Sequence, residues 1–134
     1  MNAIPPHMTP APLGQHVIAE FYGARALFEC GDAVPILRKA AKASGAVVLD
    51  VNLHDFGDRE GFTGVALLAE SHISIHTWPE HGYAAIDIFM CGDCDVLKGL
   101  EVLRSYFAPT SENVTILNRG EPTLLATAAK APAA

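Results

Sequence analysis

The sequence has few of the residue patterns that mark secreted, membrane-spanning or nucleic-acid-binding proteins. Its three cysteines, Cys30, Cys91 and Cys94, form an odd set, which disfavours a disulfide framework and favours reduced thiols. No apolar run approaches the roughly 20 residues that cross a bilayer. Nine Lys and Arg against 15 Asp and Glu give a net charge of -6, which disfavours a nucleic-acid partner. We therefore expect no membrane and no nucleic-acid partner, and a cytoplasmic location.

The length and composition fit one domain. The chain has 134 residues, 50% of them hydrophobic, which is enough for one core and too little for two. Residues 1–12 contain four prolines and lack the basic and then apolar pattern of a secretory signal. Residues 126–134 are nearly all Ala. We predict disordered arms at 1–12 and 126–134, and a folded domain at 13–125.

The hydrophobic periodicity alternates between strand and helix patterns. A first helix begins with Asp32 as N-cap, has Pro35 in its first turn and ends at Ser44. A second helix covers 95–107, and 56–63 is expected to be a loop. The strand patterns lie at 15–22, 46–53, 65–69, 71–78, 83–90 and 114–118. This order predicts an α+β domain, with a mainly antiparallel sheet and two helices on one face.

The other face of this sheet needs a cover. Four isoleucines suggest more apolar sheet surface than two helices can hide: Ile73, Ile75, Ile86 and Ile88. We therefore predict that two copies of the chain pack face to face as an αββα sandwich.

Chemically reactive side chains are concentrated in one predicted hairpin. Residues 79–82 have turn chemistry, so 71–78 and 83–90 should pair antiparallel, with paired numbers summing to about 161. This register places Met90 opposite Ser71, and Cys91 within about a residue of it. A hydroxyl and a thiol therefore meet at the open end of the hairpin.

His76 is a candidate base, but an extended strand separates it from Ser71. Five residues at about 3.3 Å each give a backbone separation of about 16 Å, with the side chains on opposite faces. Either the strand bends sharply, or the imidazole comes from a partner chain. We favour the second alternative, which predicts a homodimer with active sites at its interface.

The remaining candidates have simpler interpretations. Cys91 and Cys94 have the two-residue spacing of metal and redox sites, but zinc would need two more ligands and the sequence has no second such pair. We therefore predict no metal site, and keep a non-enzymatic metal or binding module as an alternative. His72 and His81 are expected to be structural or exposed.

Several stretches resemble one family. Residues 70–80 (ESHISIHTWPE), 82–87 (GYAAID) and 91–92 are similar to the signature of the pyruvoyl-dependent S-adenosylmethionine decarboxylase proenzymes of bacteria and archaea. Residues 13–14 and 19–23 resemble the first strand of that family. The resemblance implies self-cleavage between Glu70 and Ser71, into a β chain 1–70 and an α chain 71–134.

The resemblance also implies a cofactor made from the chain itself. Ser71 Oγ attacks the Glu70 carbonyl to give an ester, which then eliminates to dehydroalanine and hydrolyses to a pyruvoyl group. This ketone forms a Schiff base with the substrate amine and accepts electrons from the departing carboxylate, so no external cofactor is needed.

The same resemblance assigns roles to the other residues. His76 is the proton acceptor in processing, Thr63 replaces a family Ser that steadies the oxyanion, and Cys91 is the proton donor in decarboxylation. Phe56 resembles a ring that stacks on adenine, and Glu80 resembles a residue that contacts the ribose.

The implied reaction converts S-adenosylmethionine to S-adenosylmethioninamine and CO2 for spermidine biosynthesis. The segment before the cleavage strand departs from the family pattern, because it lacks a proline and carries Asp58 and Glu60. These carboxylates suit a cationic side chain. A pyruvoyl-dependent decarboxylase of L-ornithine or L-arginine on the same scaffold is therefore an alternative.

Overall fold

Six strands of the chain form one antiparallel sheet. The structure, a computed structural model, describes residues 11–129. The strands lie in the order β2-β3-β4-β5-β1-β6. Their bounds are β1 Gly14–Tyr22, β2 Val48–Asp55, β3 Phe62–Leu68, β4 Ser71–Trp78, β5 Tyr83–Cys91 and β6 Ser111–Arg119. The helices are α1 Cys30–Ser44, α2 Val96–Phe107 and α3 Pro122–Ala129.

Helices α1 and α2 cover one face of the sheet. Helix α1 packs against β2 and β3, and α2 packs against β1 and β5. Every second residue of the central strands points into this layer, which is the strand period of two. The largest fully buried side chains include Phe21, Phe62, Phe107, Leu37 and Leu100. The predicted α+β class, with two helices on one face, is confirmed.

The two helices meet closely because Gly99 has no side chain. A Cβ at Gly99 would lie 2.5 Å from Ser44 Oγ and 3.1 Å from the Ala40 carbonyl oxygen. Ser44 Oγ is itself buried and has no hydrogen-bond partner. The contact between α1 and α2 therefore depends on a glycine at this position.

The predicted start of α1 was wrong. The helix begins at Cys30 after Glu29, so Asp32 lies in the first turn and is not the N-cap. Pro35 then falls in the second turn, inside the helix. The proline leaves the carbonyl of Gly31 without its helical partner. Gly31 is exposed, so solvent can hydrogen-bond that carbonyl.

Strand β3 begins earlier than its apolar pattern indicated. The backbone N–H of Phe62 donates to Thr77 Oγ1 at 2.9 Å, and Thr63 pairs with His54 and His76. Strand β6 is longer than predicted because its whole length, Ser111–Arg119, pairs with β1.

The predicted boundaries of the domain fall partly outside the described residues. Residues 1–10 and 130–134 of the expected arms are not described by the structure. Within the expected C-terminal arm, residues 126–129 belong to the short helix α3. The backbone N–H of Leu13 donates to the Gly120 carbonyl, which ties the start of β1 to the end of β6. No helix among residues 11–129 is long and apolar enough to cross a membrane.

The face of the sheet away from the helices, here called the open face, carries exposed apolar side chains. The four isoleucines that suggested a second cover are all buried on the helix side, so that argument was wrong. The exposed members are different residues, namely Ile18, Val65, Leu67, Trp78 and Leu117. Face-to-face packing of two copies stays a prediction, and these side chains now support it.

Candidate active site

The hairpin of β4 and β5 has the predicted register. Ser71 pairs with Met90 and Trp78 pairs with Tyr83, so each pair of numbers sums to 161. The connection is a single 3-10 turn, Pro79–His81, followed by Gly82. This register determines which side chains meet at each end of the hairpin.

The predicted cleavage junction is the tight turn between β3 and β4. The carbonyl oxygen of Glu70 accepts a hydrogen bond from the backbone N–H of Cys91 at 3.1 Å. The carboxylate of Glu70 accepts from the backbone N–H of Val47 at 3.0 Å. Ser71 has a φ of +150°, a conformation that costs a non-glycine residue about 1–3 kcal/mol. The junction is therefore strained, and its carbonyl is already polarised.

His72 connects the junction to a carboxylate on β5. Ser71 Oγ lies 3.2 Å from His72 Nδ1, and His72 Nε2 lies 2.8 Å from Asp87 Oδ2. Asp87 also accepts hydrogen bonds from Ser74 and from His16, the latter with 2.6 Å between Nε2 and Oδ2. His72, Ser74, Asp87 and His16 lie on the open face, on three neighbouring strands.

Asp87 stays ionised within this group. Partial burial raises the pKa of its carboxyl, but hydrogen bonds from Ser74, His16 and His72 outweigh burial and lower the pKa below its usual value. Arg119 donates to His16 Nδ1 at 3.0 Å. This bond leaves the Nε2 of His16 as the donor to Asp87.

The same residues are the one group among residues 11–129 with the composition of a metal site. One ligand-type atom from each of His16, His72 and Asp87 lies within 4.8 Å of the others. Such a set can hold a divalent cation. Two features disfavour a bound cation. Each of these atoms is already hydrogen-bonded within the group, and the positively charged Arg119 guanidinium is adjacent.

The thiols are arranged differently from a zinc or redox pair. Cys91 is exposed at the end of β5, and Cys94 is half-buried beyond it. Burial, followed by the negative charge of Glu70, raises the pKa of the Cys94 thiol. A protonated thiol is a poor metal ligand and a poor nucleophile. The structure therefore favours separate thiols at this position.

The other end of the hairpin contains a cavity of about 290 Å³. Thr63 Oγ1 lies 3.1 Å from His76 Nδ1 across β3 and β4 at its edge. The cavity is lined by aromatic, hydroxyl and acidic side chains, namely Phe56, Glu60, Thr63, His76, Thr77, Trp78 and Glu80. It has the apolar surface and the few polar groups of a small-molecule site.

The predicted site residues therefore fall into two groups within one chain. One group, at the open end of the hairpin, consists of Glu70, Ser71 and Cys91. The other group surrounds the cavity at the turn end and consists of Phe56, Thr63, His76 and Glu80. The length of β4 separates them, about 16 Å by strand geometry.

Asp87 and His16 were not among the site residues predicted from the sequence, and His72 was expected to be structural or exposed. A signal for Asp87 was present, because a carboxylate at position 87 interrupts the apolar strand Tyr83–Cys91. A half-buried carboxylate requires hydrogen-bond donors nearby. His16 had no such signal, since its proximity follows from the pairing of β1 with β5, which are distant in sequence.

Known proteins are similar to this chain in sequence and in fold. A family model for S-adenosylmethionine decarboxylase matches residues 15–120. A protein of Methanococcus maripaludis named S-adenosylmethionine decarboxylase proenzyme is 51% identical over 114 residues, covering 81% of this chain and 90% of that protein. A protein of Prochlorococcus marinus with the same name is 41% identical over 125 residues, covering 91% of this chain and 99% of that protein.

A solved structure agrees with the sequence relatives. The crystal structure of the adenosylmethionine decarboxylase from Aquifex aeolicus matches this chain with a TM-score of 0.71 and 32% identity, covering 84% of this chain and 94% of the other. The family match, the identity of the relatives and the shared fold lead to one conclusion: this chain belongs to the S-adenosylmethionine decarboxylase family.

Proposed function

We propose that this protein is a self-cleaving proenzyme whose mature form decarboxylates S-adenosylmethionine to S-adenosylmethioninamine and CO2 with a pyruvoyl group made from Ser71. The observation that carries the proposal is the Glu70–Ser71 junction, where the carbonyl accepts a hydrogen bond from the Cys91 N–H at 3.1 Å. The names of the relatives, which include the word proenzyme, support the same chemistry. A cytoplasmic location stays a prediction.

Self-cleavage begins with attack of Ser71 Oγ on the Glu70 carbonyl carbon. The C–O bond forms, the C–N bond breaks, and the proton of the hydroxyl ends on the released amine, so the amide becomes an ester. The Cys91 N–H is positioned to stabilise the negative charge on the Glu70 oxygen during attack. The strain at Ser71 favours loss of the amide.

The second step removes the proton from Ser71 Cα. The Cβ–O bond then breaks and releases the Glu70 carboxylate, and hydrolysis of the resulting dehydroalanine with loss of ammonia leaves a ketone. We assign the proton acceptor to His76, whose Nδ1 faces Thr63 Oγ1. Thr63 of the partner subunit can also donate its hydroxyl to the oxyanion of the first step.

The junction fits a pyruvoyl group because Ser71, the residue that would become that group, pairs with Met90 next to Cys91 and follows a carbonyl that accepts the Cys91 N–H. When formed, this group supplies a ketone that binds the substrate amine and accepts the electrons of the departing carboxylate. Cys91 would then deliver a proton to the product carbon. Phe56 and Glu80 would bind the adenosine through ring stacking and hydrogen bonds to ribose hydroxyls.

These roles require two copies of the chain, because Ser71 and His76 lie at opposite ends of β4. In an antiparallel pair of sheets, the open end of one hairpin meets the turn end of the other. We therefore propose a homodimer in which the Ser71 and Cys91 of one protomer complete the cavity of its partner. The exposed apolar residues of the open face are suited to this contact.

Denaturing mass spectrometry before and after borohydride reduction tests the proposal. The 14.2 kDa chain should be replaced by fragments 1–70 and 71–134, and reduction should add hydrogen mass to the second fragment only. The Ser71→Ala variant is the matched control and should stay intact. An intact wild-type chain under conditions where the protein is folded would overturn the proposal.

One observation favours a second substrate class. Glu60 and Glu80 both line the cavity with Phe56, and two carboxylates suit the side chain of L-ornithine or L-arginine. Release of labelled CO2 from each carboxyl-labelled substrate distinguishes these from S-adenosylmethionine. The aromatic ring of Phe56, exposed at the cavity, leads us to expect S-adenosylmethionine to react fastest.

A further inference from the structure

We infer that His72 is the base that takes the proton from Ser71 Oγ in the first step of self-cleavage, and that Asp87 positions His72 for this task. The inference rests on the proposed function. It assigns a base to the first step, in which His76 of the same chain is too far from Ser71 Oγ to take the proton. It makes His72 a catalytic residue of processing and Asp87 a positioning residue.

The contacts have the order of a nucleophile, a base and an orienting carboxylate. Ser71 Oγ lies 3.2 Å from His72 Nδ1, and His72 Nε2 lies 2.8 Å from Asp87 Oδ2. Because Asp87 is an ionised carboxylate, it can only accept a hydrogen bond, so Nε2 carries the ring proton and Nδ1 is unprotonated and faces the hydroxyl. Hydrolytic Ser-His-Asp sites have the same order of groups, but there Nε2 faces the serine and Nδ1 faces the aspartate.

The carboxylate is held in place from the other side. Asp87 also accepts from His16, which in turn accepts from Arg119 through its Nδ1 at 3.0 Å. The contacts therefore form a continuous line from the cation on β6 to the nucleophile at the start of β4. A fixed carboxylate prevents the His72 ring from rotating away from Ser71.

The oxyanion donor belongs to the same cluster. The Glu70 carbonyl that Ser71 attacks accepts from the backbone N–H of Cys91, so nucleophile, base and oxyanion donor all lie at one end of the hairpin. Attack transfers the Oγ proton to His72 Nδ1 as the C–O bond forms. His72 then returns this proton to the nitrogen of Ser71 as the C–N bond breaks, and no other reactant is consumed.

His76 acts at a different step in this scheme. Its Nδ1 is bonded to Thr63 Oγ1, and it borders the distant cavity. We therefore assign the acyl shift to the protomer's own His72, and the later removal of the Cα proton to His76 of the partner subunit. Variants at the two histidines should then stop at chemically different species.

Hydroxylamine separates these species because it cleaves esters and leaves amides intact. The full chain is made by cell-free translation, and its processing is followed with time on denaturing gels with and without hydroxylamine. We expect His72→Ala to slow processing by about 10²-fold and to accumulate a precursor that hydroxylamine does not cleave. Added imidazole should restore part of the rate.

A second variant distinguishes loss of the base from misfolding of the chain. His72→Gln retains an amide donor for Asp87 and lacks the base, so it should stay folded and remain slow. His81→Ala changes an exposed histidine in the 3-10 turn and should process at the wild-type rate. Processing of His72→Gln and His72→Ala at the wild-type rate would overturn the inference, as would accumulation of a hydroxylamine-sensitive ester.

Asp87 is tested by the rate of ester formation alone. In a His76→Ala background, where the ester is expected to persist, adding Asp87→Asn should slow the appearance of the hydroxylamine-sensitive form about tenfold or more. In an otherwise wild-type chain, Asp87→Asn should leave the elimination of an ester already formed unchanged. Equal slowing of both steps would indicate a structural role and would overturn the assignment of Asp87.

The remaining outcomes separate this inference from its rivals. If the wild-type chain does not cleave, the proposed function fails and the inference fails with it. If the wild type cleaves and both His72 variants are processed at the wild-type rate, only the assignment of His72 as the base fails. If chelator stops wild-type processing and added Zn²⁺ restores it, then His16, His72 and Asp87 bind a cation and the base assignment is overturned.

Discussion

Thr63 Oγ1 and His76 Nδ1 face each other across β3 and β4 at a distance of 3.1 Å. When Nδ1–H donates to Thr63 Oγ1, the bond fixes the imidazole ring and leaves Nε2 as the unprotonated nitrogen that can act as a base. We expect His76→Ala to accumulate an uncleaved chain, most of it as the hydroxylamine-sensitive ester, because only the elimination step loses its proton acceptor. Time courses of processing measure this, and normal processing of His76→Ala would contradict the assignment.

The effects of the Thr63 hydroxyl and of its methyl group on processing can be measured separately. Thr63→Val keeps the branched shape and removes the hydroxyl, so we expect processing to slow by about 10²-fold. Thr63→Ser keeps the hydroxyl and removes the methyl, so it should process at least as fast as wild type. If Thr63→Val processed at the wild-type rate, Thr63 would have no part in the reaction.

Because Ser71 and His76 of one chain are far apart, processing should require a dimer, and this requirement can be tested with mixed dimers. A mixture of Ser71→Ala and His76→Ala chains should recover cleavage of the His76→Ala chain, because the partner supplies the missing imidazole. The expected yield is below that of wild type, since only mixed dimers carry a complete site. Absence of cleavage in mixed dimers verified by differently tagged subunits would show that His76 acts within its own chain.

Much of this arrangement followed from local sequence rules. The turn chemistry of residues 79–82 predicted the pairing of β4 with β5, because a hairpin register depends only on its turn and on alternation. The start of α1 was missed because the helix tolerates Pro35 in its second turn, where the carbonyl left unbonded is exposed. Local propensity contains no information on that exposure.

The contacts of Asp87 with His16 and His72 show a second limit of prediction from sequence. His16 and Asp87 are 71 residues apart, and they meet because β1 inserts beside β5 in the strand order. A carboxylate within an apolar strand predicts that partners exist, but the identity of those partners depends on long-range pairing. The side-chain bond between Ser71 and His72 was likewise not indicated by the sequence, because successive side chains of a regular strand point to opposite faces.

Cys91 should matter for turnover more than for processing. Its backbone N–H contacts the Glu70 carbonyl, and a substitution of the side chain preserves that contact. We therefore expect Cys91→Ala to cleave nearly normally, and to release CO2 from S-adenosylmethionine about 10²-fold more slowly for lack of a proton donor. Cys94→Ala is the matched control and should retain activity. Full activity in Cys91→Ala would exclude Cys91 as the proton donor.

Asp87 should also contribute to stability in a pH-dependent way. The hydrogen bonds from Ser74, His16 and His72 lower the pKa of its carboxyl below the ordinary value of 3.8, despite the opposing effect of burial. A group with a lowered folded-state pKa stabilises the fold above its unfolded-state pKa. That stabilisation is lost as the pH falls through the folded-state pKa.

Comparison of Asp87 with its amide isolates this contribution. In the uncleaved Ser71→Ala background, so that every molecule has the same covalent structure, Asp87→Asn should lower the free energy of unfolding by about 2 kcal/mol near neutral pH. The difference between the two chains should shrink progressively from about pH 5 to about pH 2, because protonated Asp87 then resembles the neutral amide. Urea unfolding at several pH values measures it. A difference that is constant over this range would mean that the charge of Asp87 does not stabilise the fold, and that its hydrogen bonds act through geometry alone.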